Sequence, residues 1–124
     1  MKHLGVDWGE KRIGLSLGED EVKLASPFRI VSNLPELVRI INDEEIEVVV
    51  IGVPYSISDV THKLPQRFSD FLTNLKHSIT IPIKEVDERL SSKAGDARIG
   101  DKKTKASRDE IAAMEILQSY FDSN

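Results

Sequence analysis

The sequence predicts an α/β protein built on a mixed five-stranded sheet with helices on its faces. Three observations lead there. Residues 4–16 read LGVDWGEKRIGLS, two alternating apolar runs around a short polar turn that contains glycine. That is the signature of an antiparallel hairpin. Residues 47–54 read EVVVIGVP, continuously apolar and β-branched, as expected of a strand covered on both faces in a parallel sheet. Elsewhere the apolar spacing becomes helical. The predicted order is strand, strand, strand, helix, strand, helix, strand, helix. Strands first and alternation later imply a mixed sheet: an antiparallel hairpin, then crossovers that make parallel neighbours.

Taken in order, the first strand runs through His3 to Val6 and ends at Asp7, and Trp8 to Lys11 turns the chain. Arg12 opens the second strand, with Ile13, Leu15 and Leu17 on one face. Val22 to Val31 reads as a third strand, interrupted or bulged near Pro27, because proline lacks the ladder donor and belongs at an edge or a bulge. Asn33-Leu34-Pro35-Glu36 has a capping residue, an early proline and a first-turn acid, so a helix starts there. Leu34, Leu37, Val38 and Ile41 give it one apolar face, and it ends near Asp43-Glu44-Glu45. After the buried fourth strand, Tyr55 to Thr61 is a polar loop. Leu64, Phe68, Phe71, Leu72 and Leu75 mark a second helix, with Pro65 in its first turn. Ile79 to Val86 reads as the fifth strand, ending at Asp87-Glu88-Arg89. Ser91 to Ala106 is the least apolar stretch and reads as a loop carrying Lys102, Lys103 and Lys105. Ser107 and Glu110 form a capping box for a last helix that reaches about Phe121.

The 124 residues suit a single domain over 1–124, and 40% hydrophobic with 31% charged residues is the balance of a soluble globular protein. The chain has no cysteine, which excludes disulfides and thiolate zinc sites and fits a reducing compartment. No apolar run approaches the roughly 18 residues of a membrane span. No signal peptide is evident, so the expected location is the cytoplasm. A net charge of −4 argues against a nonspecific nucleic-acid coat protein. It leaves room for an enzyme that acts on nucleic acid and whose own acids are neutralised by a divalent cation.

Four acids stand at the ends of elements: Asp7 after the first strand, Asp87 and Glu88 after the fifth, and Asp109 in the first turn of the last helix. In open α/β sheets ligands bind beyond the carboxyl ends of the strands. With the first and fifth strands both near the centre, Asp7 and Asp87 or Glu88 converge there. Asp109 heads the helix face of Ala113, Ile116, Leu117 and Tyr120, which must pack on the sheet. Carboxylates brought together repel unless a cation sits between them, and all-oxygen ligation selects Mg²⁺ or Mn²⁺. Such ions activate water in phosphodiester cleavage. Each acid also has an ordinary reading. Asp7 forms a turn, Asp109 suits the positive end of a helix, and Asp87-Glu88-Arg89 is a solvated charge run. Lys102, Lys103 and Lys105 are either a solvated loop or a phosphate-binding patch. The Gly5, Gly9, Gly14 spacing lacks a nucleotide-binding pattern, and His3, His62 and His77 lack ligand spacing.

Four blocks, LGVDWGEKRIGLSL, VVVIGVPYSI, PIKEVDERLSS and SRDEIAAMEILQSYF, resemble in order those of the YqgF family. That family is also called RuvX, or Holliday-junction-resolvase-like, and is associated with nuclease processing of pre-16S rRNA. The resemblance spans nearly the whole chain. It implies an RNase H-like fold and a metal-dependent nuclease of the bacterial cytoplasm acting on the 5′ end of precursor rRNA, with a related role on branched DNA. It also implies that Asp7, the acid of Asp87-Glu88-Arg89 and Asp109 bind the metal. Adjacent strand residues face opposite ways, so either Asp87 or Glu88 is the principal ligand. Lys11, Arg12, Arg89 and the three lysines of 102–105 are then the residues expected to meet phosphates. Two other classes are compatible with the sequence. One is half of an actin or sugar-kinase type phosphotransferase, which ATP binding would reveal. The other is a ribosome-associated RNA-binding module without catalysis, which would bind but not cleave. The sequence is compatible with a monomer or a homodimer.

Overall fold

The computed structural model describes residues 1–54, 64–88 and 108–123. Strands β1 (Lys2–Trp8), β2 (Ile13–Glu19), β3 (Leu24–Val31), β4 (Val48–Val53) and β5 (Ile83–Asp87) form one sheet in the order β3-β2-β1-β4-β5. β1 pairs antiparallel with β2 and parallel with β4, and β4 pairs parallel with β5. Helices α1 (Leu34–Asp43) and α2 (Gln66–Ser78) supply the apolar residues of one face, and α3 (Arg108–Asp122) those of the other.

Strand alternation sorts the sheet into two cores. Leu4, Val6, Ile13, Leu15, Val49, Ile51 and Val53 pack with Leu37, Ile40 and Ile41 of α1 and Phe68, Leu72 and Leu75 of α2. Val48 and Val50, from the opposite face of β4, pack with Ile116, Leu117 and Phe121 of α3. This is why β4 is apolar at every position: all six of its residues are buried. α1 starts where its signals place it. The Asn33 side chain accepts the Glu36 backbone N–H at 3.0 Å, and the Glu36 carboxylate accepts the Ser32 N–H at 2.9 Å.

Several boundaries differ from the sequence reading. Trp8 is the last residue of β1 rather than part of the turn, and its ring meets Phe68 of α2 edge-on at 5.6 Å. β3 begins at Leu24, not Val22. The bulge expected near Pro27 is present: Leu15 pairs with Arg29 and Ser16 with Pro27, leaving Phe28 as the extra residue. Pro65 precedes α2 as its N-cap instead of lying in the first turn. β5 begins only at Ile83, because α2 runs to Ser78 and Pro82 delays the ladder. β5 is an edge strand, separated from β1 by β4, and not a central one. The 55–61 and 91–106 loops and the Ser107 cap lie outside the described residues.

α3 approaches the sheet over glycines. A Cβ on Gly5 would sit 2.8 Å from both the Ala113 carbonyl oxygen and the Leu117 Cβ. One on Gly18 would sit 2.7 Å from the Phe121 ring. The buried Ser16 hydroxyl, opposite Gly5, donates to the Ala113 carbonyl at 2.7 Å and fixes the helix along the strands. Gly5→Ala is therefore expected to destabilise the fold by roughly 1–3 kcal/mol through overpacking. The midpoint of urea unfolding should fall at an unchanged denaturant slope. A midpoint equal to wild type would show that α3 does not rest on this glycine.

Candidate functional site

Asp7 lies near the end of β1, on the face covered by α3. Its neighbour across β2 is Gly14. Continuing the β1–β4 register by one residue places it level with Gly52 on the other side, since Val6 pairs with Ile51. Both flanking positions lack a side chain: the Asp109 backbone fills the space at Gly14, and Ile116 of α3 together with Glu88 fills that at Gly52. A Cβ on Gly14 would collide with the Asp109 carbonyl oxygen and stand 3.1 Å from the Asp109 Cβ. A Cβ on Gly52 would collide with Ile116 Cδ1 of α3 and would also stand 2.8 Å from Glu88 Cγ and 3.0 Å from its Oε1. Glycine inside a strand marks such a close approach. Glu88 thus extends over β4 to reach Asp7, and the first turn of α3 brings Asp109 down over β2.

The electrostatics follow from this geometry. The Asp7 carboxyl is pushed up to about 8. Burial is the largest cause, followed by a hydrogen bond in which protonated Asp7 donates to Glu88, then by the negative charges of Glu88 and Asp109. Asp109 is steadied from the other side by Arg12, whose Nε lies 3.3 Å from Oδ2. The hairpin turn is tied down independently: Arg67 of α2 donates to Glu10 at 3.0 Å.

The structure distributes the sequence-predicted residues as follows. Glu88 is within hydrogen-bond reach of Asp7, and Asp109 is near enough to act on Asp7 by its charge. Asp87 pairs with Val53 one level further along β5 and is not among the groups that perturb Asp7. Arg12 lies beside Asp109, and Lys11 is exposed in the turn. Arg89, Lys102, Lys103 and Lys105 lie outside the described residues. His3 is a core histidine, its Nδ1 2.9 Å from the Met1 carbonyl oxygen and its ring against Phe121. Sequence reasoning missed Gly14 and Gly52 as parts of this arrangement. The available signal was a glycine close to one end of each of the two strands, Gly52 in the otherwise apolar β4 and Gly14 in β2.

Among the described residues, no three acidic or imidazole side chains enclose a ready-made cation cage. The donors nevertheless fit a hard divalent ion. They are oxygen-only and half-buried, their burial and mutual charge raise the Asp7 carboxyl, and Asp109 is paired with Arg12.

A β3-β2-β1-β4-β5 sheet with this helix arrangement defines the RNase H-like class. Among solved structures, the chain is similar to RuvC of T. thermophilus in complex with a Holliday junction substrate, with a TM-score of 0.68 and 14% identity over 99% of this chain and 94% of that one. It is also similar to the Fowlpox virus resolvase in complex with Holliday junction DNA, with a TM-score of 0.61 and 11% identity over 99% and 98% of the two chains. Within that class the chain belongs to the RuvX family: the family profile "RuvX: Holliday junction resolvase" matches residues 1–123. A relative from Methylobacillus flagellatus, named "Putative pre-16S rRNA nuclease", is 34% identical over 96% of this chain and 89% of its own length. One of the same name from Maridesulfovibrio salexigens is 32% identical, with 98% of each covered.

The raised Asp7 carboxyl sets a pH dependence. Its proton is retained in the folded state up to about 8 but is lost near 3.8 in the unfolded chain. Stability from this group is therefore full below the lower value and lost as pH rises through the upper one. In chelator, wild type should lose melting temperature relative to Asp7→Asn between pH 5 and 8, and the difference should level off above that. Parallel melting curves would show that Asp7 carries no such burden.

Proposed function

We propose that this protein is a metal-dependent nuclease, a single domain acting on structured nucleic acid, with the 5′ end of precursor 16S rRNA as its substrate. The observation that carries this reading is the meeting of Asp7, Glu88 and Asp109 at the carboxyl end of the central parallel strands, the position where α/β sheets bind ligands. The names of its relatives supply the substrate class. Branched DNA is the alternative substrate, favoured by the family description and by the Holliday junctions held in the two similar complexes.

Asp7, Glu88 and Asp109 are the proposed ligands of Mg²⁺ or Mn²⁺, with Asp87 outside the set. A divalent ion bound there supplies activation of water and neutralisation of charge on the phosphate being cleaved. The chain's own residues do the rest. Gly14 and Gly52 let the acids approach Asp7 without a Cβ between them. Burial of Asp7 keeps its charge poorly compensated by water, so it strengthens attraction for a cation. Lys11, Arg12, Arg89, Lys102, Lys103 and Lys105 are the proposed phosphate contacts, which hold the backbone without reading sequence. No described helix is long and apolar enough to cross a membrane, and cytoplasmic action on precursor rRNA is part of this reading.

Two experiments test it. Purified protein is incubated with a precursor 16S rRNA 5′ end and with a four-way DNA junction, in Mn²⁺ and in chelator. Cleavage of the RNA in Mn²⁺ alone is expected, and Asp7→Asn should lower it to the chelated level while leaving binding intact. Cleavage of the junction only would move the substrate to DNA. Binding without cleavage of either would make the protein a binding module. The second experiment changes Lys102, Lys103 and Lys105 together to Gln. For each phosphate that is no longer neutralised, the log–log salt dependence of binding should become shallower by about 0.7 on single-stranded RNA and about 0.9 on duplex. An unchanged slope would remove the three lysines from the interface.

A further inference from the structure

Arg12 has no evident structural task. It lies at the start of β2, its side chain is 69% exposed, and its described ion pair is the one with Asp109, at 3.3 Å. The opposite end of the hairpin turn is already anchored by Glu10 on Arg67 and by Trp8 against Phe68 and Phe71. The Arg12 guanidinium therefore does not hold the turn in place. Its position against one acid of a mutually repelling group is what distinguishes it.

We propose that Arg12 is a placeholder cation: it neutralises Asp109 while no divalent ion is bound, and a divalent ion must displace it to use that carboxylate. This inference rests on the reading of Asp7, Glu88 and Asp109 as a cation site. The pair is well suited to exchange. An exposed ion pair is worth only a factor of about 2 to 5 in an equilibrium constant, so it steadies the empty site without blocking it. The guanidinium is also monovalent and approaches from the solvent side. Arg12 is thus a positioning residue that acts through Asp109. A residue that merely oriented Asp109 toward the metal would have the opposite effect on cation affinity.

The test uses the full chain and Mn²⁺ alone, with calorimetric titration and thermal melts on wild type, Arg12→Gln and Arg12→Lys. Arg12→Gln removes the competitor, so its Mn²⁺ dissociation constant should be about 2- to 5-fold tighter than that of wild type. Its melting temperature should be lower than wild type in chelator, where Asp109 has no cationic partner, and no lower than wild type at saturating Mn²⁺. Arg12→Lys keeps the charge and should stay within about 2-fold of wild type. Equal or weaker Mn²⁺ binding by Arg12→Gln, with wild type binding normally, would overturn the placeholder role. So would a melting temperature lowered equally in chelator and in Mn²⁺. Failure of wild type itself to bind Mn²⁺ would be a different result: it would overturn the cation-site reading on which the inference stands.

Discussion

The close seating of α3 on β1, β2 and β4 is the constraint on which the rest of the structure depends. A helix carried on ordinary side chains stands well away from a sheet. Here Gly5 and Gly14 let the backbone of α3 come down onto the strands, and Gly18 and Gly52 make room for its Phe121 and Ile116 side chains. The Ser16 hydroxyl then bonds a carbonyl in the middle of the helix, which fixes its position along the sheet. The apolar contacts of Ile116, Leu117 and Phe121 with Val48 and Val50 supply the burial that stabilises this arrangement. The strand glycines carry a conformational-entropy cost, and close packing offsets it.

This seating has a direct electrostatic consequence. The same approach that packs Ala113 against Gly5 brings Asp109, one helical turn earlier, over Gly14 and beside Asp7. Glu88 arrives by an equivalent route on the other side, across the missing side chain of Gly52. Three carboxyl groups from β1, the end of β5 and the start of α3 therefore converge because the sheet is bare between them. In isolation that convergence destabilises the fold. The raised Asp7 carboxyl, which favours its neutral form, and the guanidinium of Arg12 are what the protein has available to reduce it. The opposite face carries no such conflict. There the packing of β1, β2 and β4 on the α1–α2 pair is apolar, extended at its end by Trp8 on Phe68 and Phe71. One face of the sheet supplies stability and the other holds the charged group.

Identity of 14% with a RuvC structure, alongside a TM-score of 0.68, means that the sheet order persists while most side chains change. Fold alone assigns no chemistry. In this chain Asp109 stands over Gly14 and Glu88 over Gly52, on either side of Asp7. That relation is local and physical, and it is independent of any name.

Much of the fold was legible in the sequence. The hairpin around Asp7, the capped α1 at Asn33, the fully buried β4 and the bulge at Pro27 all follow from period, capping and the missing proline donor. These are short-range properties, set by neighbours a few residues away. Asp7 and Asp109 also stood out, because strand ends and helix starts are readable. The choice between Asp87 and Glu88 was not. It depends on β5 starting at Ile83 beside β4, in the register that pairs Val86 with Gly52 and Asp87 with Val53, which leaves Glu88 on the Gly52 face. Nor does the sequence place Arg12 on Asp109, since 97 positions separate Ser16 from its partner Ala113 and a comparable distance separates this pair. Strand order and helix seating bring such residues together, and both are set by packing between segments that are remote in the chain. Local pattern determined which elements form; only the tertiary structure decided which acids meet.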